Sequence, residues 1–135
     1  MKKYVLMSIK PEYAEKIKFG KKTIELRRTL PKVSAGDILV IYETSPVQAI
    51  TSYCEIRSLI SCEKNTFWEQ YNDAFCITKS VFETYFSGKD DAGGIVLENI
   101  VLLDSPMRIS EVMVTPHAPQ SYCYLSENEF LHLLS

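Results

Sequence analysis

Between positions 20 and 28 the chain reads Gly20-Lys21-Lys22-Thr23-Ile24-Glu25-Leu26-Arg27-Arg28, with charged and apolar side chains alternating from Lys22 onward. In an extended strand successive side chains point to opposite faces. Thr23, Glu25 and Arg27 therefore share one face, and Lys22, Ile24, Leu26 and Arg28 the other. A hydroxyl, a carboxylate and a guanidinium spaced two apart can converge on one ligand. The carboxylate accepts from an exocyclic amine and the guanidinium donates to a carbonyl or a phosphate, a set that suits a nucleobase edge better than an apolar ligand. Lys22 opens the strand beside Gly20, with its ammonium in reach of the mouth of such a cleft. The bland alternative is an exposed strand whose Glu25 and Arg27 form weak surface ion pairs.

The charge distribution bears on the same choice. Residues 1–32 hold ten Lys/Arg against three Glu, or +7, while the remainder carries −9 and the whole chain only −2. A neutral-looking protein can thus present one basic face for phosphates. Lys10, Lys21, Arg28 and Lys32 read as its rim, or as ordinary solvated charges. Unpaired bases also need aromatic platforms. Tyr42, Tyr53, Trp68, Tyr71 and Tyr122 are the candidates; Tyr122 is favoured because it follows the polar pair Gln120-Ser121, whereas the others suit a core.

Several chemistries are excluded. The chain has no Gly-x-Ser-x-Gly elbow, Walker loop, dinucleotide fingerprint or His-Glu-x-x-His. In Gly88-Lys89-Asp90-Asp91 an Asp stands where a phosphate loop needs Ser or Thr. Cys54, Cys62, Cys76 and Cys123 form no Cys-x-x-Cys pair and lie mostly far from His117 and His132, so no metal and no cofactor is expected. The run Tyr4 to Ile9 is too short for a signal peptide, and no stretch reaches membrane-spanning length. The expectation is a cytoplasmic protein whose residues 1–135 form one domain, with no membrane association and an oligomeric state left open.

The elements that must position these residues follow from periodicity and punctuation. Tyr4 to Ile9 predicts a short buried strand, and Pro11 opens a helix over Glu12 to Phe19 with Gly20 at its C-terminal cap. Tyr13, Ala14 and Ile17 face inward on it. Lys22 to Arg28 is the strand described above. Ser34-Ala35-Gly36-Asp37 is a turn into the strand Ile38 to Tyr42, and Ala49 to Ile60 is a further long strand. Helices follow at Glu63 to Tyr71 and at Thr78 to Phe86, the latter ending at Gly88. Gly94 to Leu103 predicts a central strand closed by Pro106. After a loop over Pro116 to Gln120 come the short strand Tyr122 to Leu125 and a final helix that Ser126 caps, with Glu129 three residues on. Strands outnumber helices, which suggests a small mixed barrel rather than a doubly wound sheet.

Ser8-Ile9-Lys10-Pro11, the Gly20 to Arg28 segment and Gly36-Asp37-Ile38-Leu39-Val40-Ile41-Tyr42 stand in the order of an ASCH domain: a strand ending near Lys-Pro, a short helix, Gly-x-Lys-Thr-x-Glu-x-Arg, then a Gly-Asp turn into an apolar strand. The chain resembles that family over most of its length. Its later part, with Pro106 and Pro119-Gln120-Ser121-Tyr122, is similar to longer bacterial members. The resemblance implies an α+β fold, a PUA-like mixed β-barrel flanked by short helices, with a cleft lined by the Lys22 to Arg27 strand. It implies a role in binding RNA or a modified nucleoside or nucleotide, serving RNA metabolism or gene regulation. Lys10, Lys21, Lys22, Thr23, Glu25, Arg27, Arg28, Ser45, Gln120, Ser121 and Tyr122 are the binding residues so implied, Ser45 through its loop backbone. One branch of the family hydrolyses the amide of N4-acetylcytidine with a Lys, a Thr and a Glu. Its Lys falls on Lys22 and its Thr on Glu25, so Thr23 would have to supply the hydroxyl and Glu69 the general base. That hydrolase, and a plain protein-interaction domain, are the alternatives to nucleic-acid binding.

Overall fold

The computed structural model describes residues 1–135. Six strands form one mixed sheet in the order β2-β5-β4-β3-β1-β6: β1 (Tyr4–Ile9), β2 (Ile24–Leu26), β3 (Ile38–Glu43), β4 (Ala49–Glu63), β5 (Asp91–Met107) and β6 (Tyr122–Leu125). Four helices accompany them, α1 (Pro11–Lys18), α2 (Lys64–Tyr71), α3 (Lys79–Tyr85) and α4 (Glu127–Leu134). Only β1 and β3 are parallel, in register from Tyr4 opposite Ile38 to Ile9 opposite Glu43. That pairing requires a crossover, and α1 and β2 lie within it.

β1 and β3 read as near-continuous apolar runs because the middle of the sheet is buried on both faces. Val5, Met7, Ile9, Leu39 and Ile41 pack with Ala14 and Ile17 of α1. The alternate residues Leu6, Ile38 and Val40 pack with Phe130 and Leu133 of α4. The caps of the helices match their local sequence. Ser126 and Glu129 form a reciprocal capping box on α4, and the side chains of Glu63 and Thr78 accept from the first turns of α2 and α3.

A third cluster is aromatic. Phe67, Phe75, Phe82 and Phe86 are fully buried against Ile24, Leu26 and Ala92, with Phe75 stacked on Phe82 at 5.5 Å. Each such ring contributes about 1.5–3 kcal/mol on burial, enough in sum to lock α2 and α3 beside β2.

Two strands differ most from expectation. β2 is three residues long, because Lys22 N–H bonds back to the Lys16 carbonyl and Thr23 N–H to that of Ala74, outside the ladder. β5 runs past Pro106, since its pairing with β4 resumes at Met107 opposite Ile50 after register shifts. At the two ends of the sheet order stand β2 and β6, and Arg27, just beyond β2, reaches Ser121, just before β6.

A buried charge cluster in an open hollow

The Gly20 segment departs from strand geometry where chemistry needs it to. Gly20 adopts φ +77°, a conformation open to glycine at little cost, and lets the chain turn off the end of α1. With Lys22 outside the ladder, its side chain is freed from strand alternation. Its ammonium lies 3.6 Å from Glu25 Oε1 and donates to the Phe75 carbonyl at 3.0 Å, with the Tyr13 ring 5.4 Å away. Arg27, two residues from Glu25 on the same strand face, donates through Nη2 to Glu25 Oε2 at 2.8 Å and to the Ser8 carbonyl at 2.9 Å. Its Nη1 donates to Ser121 Oγ at 3.2 Å. Arg27 Nε is buried without a partner, an unmet donor of the kind that water or a ligand normally satisfies.

Lys22 is 4% and Glu25 7% exposed and the Arg27 side chain 12%, so two cations and one anion share a site largely cut off from water. Such clusters are costly to desolvate unless well bonded. Burial, only partly opposed by the Glu25 carboxylate, lowers the pKa of Lys22 below its ordinary value. Burial likewise raises those of Tyr13 and Tyr85.

The triad lines an open hollow of about 280 Å³. Ser8, Lys10 and Tyr13 complete its polar side, while Ile77, Val81 and Tyr85 form an apolar wall. Lys10, Lys22 and Arg27 against Glu25 leave it with surplus positive charge. A small planar ligand with polar edges, flanked by phosphate, fits that division.

The residues singled out in the sequence divide accordingly. Lys10, Lys22, Glu25 and Arg27 come together in the hollow, and Ser121 joins them through Arg27. Thr23 does not: it is exposed and outside the hollow, because the strand that was to align it with Glu25 begins only at Ile24. Glu69 is exposed on α2, also apart from the hollow. Lys21, Ser45 and Gln120 are exposed and do not line it. Arg28 is turned to the end of α3, donating to the carbonyls of Tyr85 at 2.7 Å and Ser87 at 2.9 Å. Tyr122 is half-buried against the core. Tyr42 is buried, Tyr53 packs edge-on against Phe130, and Trp68 and Tyr71 belong to the aromatic cluster.

Sequence reasoning missed the apolar wall and the Phe75 carbonyl. The wall carried a signal: Ile77, Val81 and Tyr85 recur every four residues, a second stripe beside that of Phe82 and Phe86. The carbonyl carried none.

An ASCH domain-containing ribonuclease from Zymomonas mobilis is 27% identical to this chain, over 99% of it and 92% of that protein. The crystal structure of ASCH from Zymomonas mobilis matches the fold with a TM-score of 0.90 at 26% identity, covering 97% of this chain and 93% of that one. Human THYN1, solved in complex with DNA containing 5-methylcytosine, shares the fold at 13% identity and a TM-score of 0.58, over 98% and 95% of the two chains. The ASCH domain matches residues 7–104, and so, with its six-stranded mixed sheet, four helices and the motif that lines the hollow, the chain belongs to the PUA-like ASCH domain family.

Proposed function

We propose that this chain binds single-stranded RNA and takes one of its nucleotides, plain or modified, into the hollow. The observation that carries this is the buried Lys22–Glu25–Arg27 cluster, whose surplus positive charge opens onto a cavity with an apolar wall. Glu25 would accept from a base amine, the wall would take the base's face, and Arg27 with Lys10 would meet a phosphate. The whole chain would act as one domain, its sheet curled into a barrel whose seam Arg27 bridges. The unpaired cysteines suit the reducing cytoplasm.

A second reading, strand cleavage, is favoured by the Zymomonas mobilis ribonuclease, whose similarity spans nearly all of both chains. Lys22, with its lowered pKa, is the group in the hollow best suited to exchange a proton. The amide-hydrolase alternative lacks such support, because Thr23 and Glu69 lie outside the hollow.

The test is fluorescence anisotropy with a labelled single-stranded RNA, followed by gel analysis of the same strand. Binding should weaken steeply with salt, and Lys22→Ala and Arg27→Ala should each cost roughly tenfold or more in affinity. Variants that remain folded and bind as well as the parent would sink the first reading and leave a protein-interaction domain. An RNA strand of unchanged length would sink the second.

A further inference from the structure

Strand β6 joins two depressions. Its start lies against Arg27 at the hollow, through Ser121. Its end, Tyr124 and Leu125, lines a second depression with Lys2, Lys3, Tyr4 and Lys32, and one carboxylate, that of Glu127. We propose that the seam between β6 and the loop from Arg28 to Asp37 carries the further nucleotides of a single strand whose first base occupies the hollow. Tyr124 would be their stacking platform, and Lys2, Lys3 and Lys32 their phosphate contacts. The proposal rests on the nucleotide reading of the hollow.

Tyr122 and Tyr124 stand opposite Met7 and Val5 in the β1–β6 ladder and therefore share one face. Their rings meet edge-on at 6.1 Å. Tyr122 is half-buried against the core, but Tyr124 remains 46% exposed although its hydroxyl already accepts from Lys32 N–H at 3.0 Å. With its hydroxyl engaged by Lys32, what Tyr124 has to offer a ligand is its ring, the feature that stacks a base irrespective of sequence. The same bond fixes Lys32 beside the ring, and Lys3 Nζ donates to the Lys32 carbonyl at 2.8 Å. Three cations are gathered around one exposed aromatic face, and all belong to the basic stretch that the hollow uses only in part. Ser121 and Tyr124 lie ~10 Å apart along the strand, a distance that a short run of splayed nucleotides can bridge. The chemistry matches a polyanion with flat apolar faces.

The probes are 2′-O-methyl oligouridylates, which lack the hydroxyl that strand cleavage would use. The folded chain should bind a pentanucleotide at least about tenfold more tightly than a mononucleotide, the increment of one stacked base. Tyr124→Ala, and the double change Lys3→Ala with Lys32→Ala, should each abolish most of that gain and leave mononucleotide affinity unaltered. Tyr124→Phe keeps the ring and should retain the gain, which separates stacking from any loss of the Lys32 bond. Arg27→Ala should weaken both ligands. No gain with length, or a gain that survives Tyr124→Ala, overturns the seam while the hollow stands. Pentanucleotide binding that depends on Tyr124, with no mononucleotide binding, overturns the nucleotide reading of the hollow and with it the proposal that rests on it. Failure of both ligands overturns both.

Discussion

Arg27 and Ser121 are 94 positions apart in the chain, yet the guanidinium of one donates to the hydroxyl of the other at 3.2 Å, joining the regions of the two strands that end the sheet order. The same guanidinium neutralises Glu25, so one side chain links those two regions and shapes the hollow. The two roles separate by substitution. Ser121→Ala removes one hydrogen bond at an exposed position and should cost no more than about 0.5–1.5 kcal/mol. Arg27→Ala leaves the buried Glu25 with Lys22 alone and should cost about 3 kcal/mol, the lower end for breaking a buried pair. Urea denaturation of both variants checks the contrast, and equal losses would show that Arg27 acts through Ser121 only.

Lys22 makes a pH prediction with a definite sign. Burial holds its pKa below the ordinary 10.5 in the folded chain, whereas in the unfolded chain it titrates near that value. Between the two, the unfolded state binds more protons, so stability contributed at this site rises with pH. The penalty for burying an ammonium is present below the folded pKa and lifts as that value is crossed. Lys22→Met has no such group. The stability of the parent relative to Lys22→Met should therefore increase as pH climbs toward 10.5. Cys54, pushed up to about 12 by burial, works in the opposite sense above pH 9, but it is common to both proteins and cancels. Paired urea titrations along a pH series give the answer, and a flat difference would mean that Lys22 titrates as it does in water.

What could be read from the chain beforehand was what depends on near neighbours. The pattern over Tyr4 to Ile9, the Ser126–Glu129 capping box and the glycine ending α1 rest on contacts within a few residues, and the folded chain shows each in place. Glu25 and Arg27 were legible as partners because two-residue spacing survives in even a short strand. Thr23 was misplaced because Lys16 at the end of α1 and Ala74, remote in sequence, take the backbone donors of Lys22 and Thr23. Local alternation cannot register such competition. The Phe75 carbonyl, the link to Ser121 and the exposed ring of Tyr124 depend on how α3 and β6 fold back, which no spacing encodes.

Asp37 shows that the Gly-Asp part of the family motif is structural. Its carboxylate accepts from Lys3 N–H at 2.9 Å and Ser34 N–H at 2.8 Å. Burial pushes its pKa up, but these bonds outweigh burial and hold it below 3.8. The stability it contributes is present above the unfolded value and lost as pH falls through the folded one. Asp37→Asn should cost about 2 kcal/mol at neutral pH, the worth of hydrogen bonds to a charged acceptor. The gap should close in acid, while the hollow keeps its ligand. A gap independent of pH, seen in urea midpoints, would assign the loss to something other than the carboxylate charge.

The position of Glu25 depends in turn on a residue without a side chain. Gly94 pairs with Leu26 of β2 on one side and Ile60 of β4 on the other. A Cβ at Gly94 would meet Ile24 Cγ2 at 2.6 Å and Phe67 Cζ at 3.0 Å, and neither neighbour can yield easily. Ile24 is β-branched and stiff at χ1, and Phe67 is fully buried in the aromatic cluster. Relief must come from β2 moving away from β5, which carries Glu25 and Arg27 with it. Gly94→Ala should therefore cost about 1–3 kcal/mol, as overpacking of a filled core does, and should also weaken mononucleotide binding although residue 94 touches no ligand. At Gly93 a Cβ would meet the Arg27 carbonyl at 3.1 Å and Leu30 Cγ at 3.2 Å, milder contacts than the 2.6 Å approach at Gly94 although the nearer atom is backbone. Gly93→Ala should accordingly cost less in both stability and binding. Thermal melts and nucleotide titrations of the two variants decide the matter, and equal binding by both would show that the hollow tolerates displacement of β2.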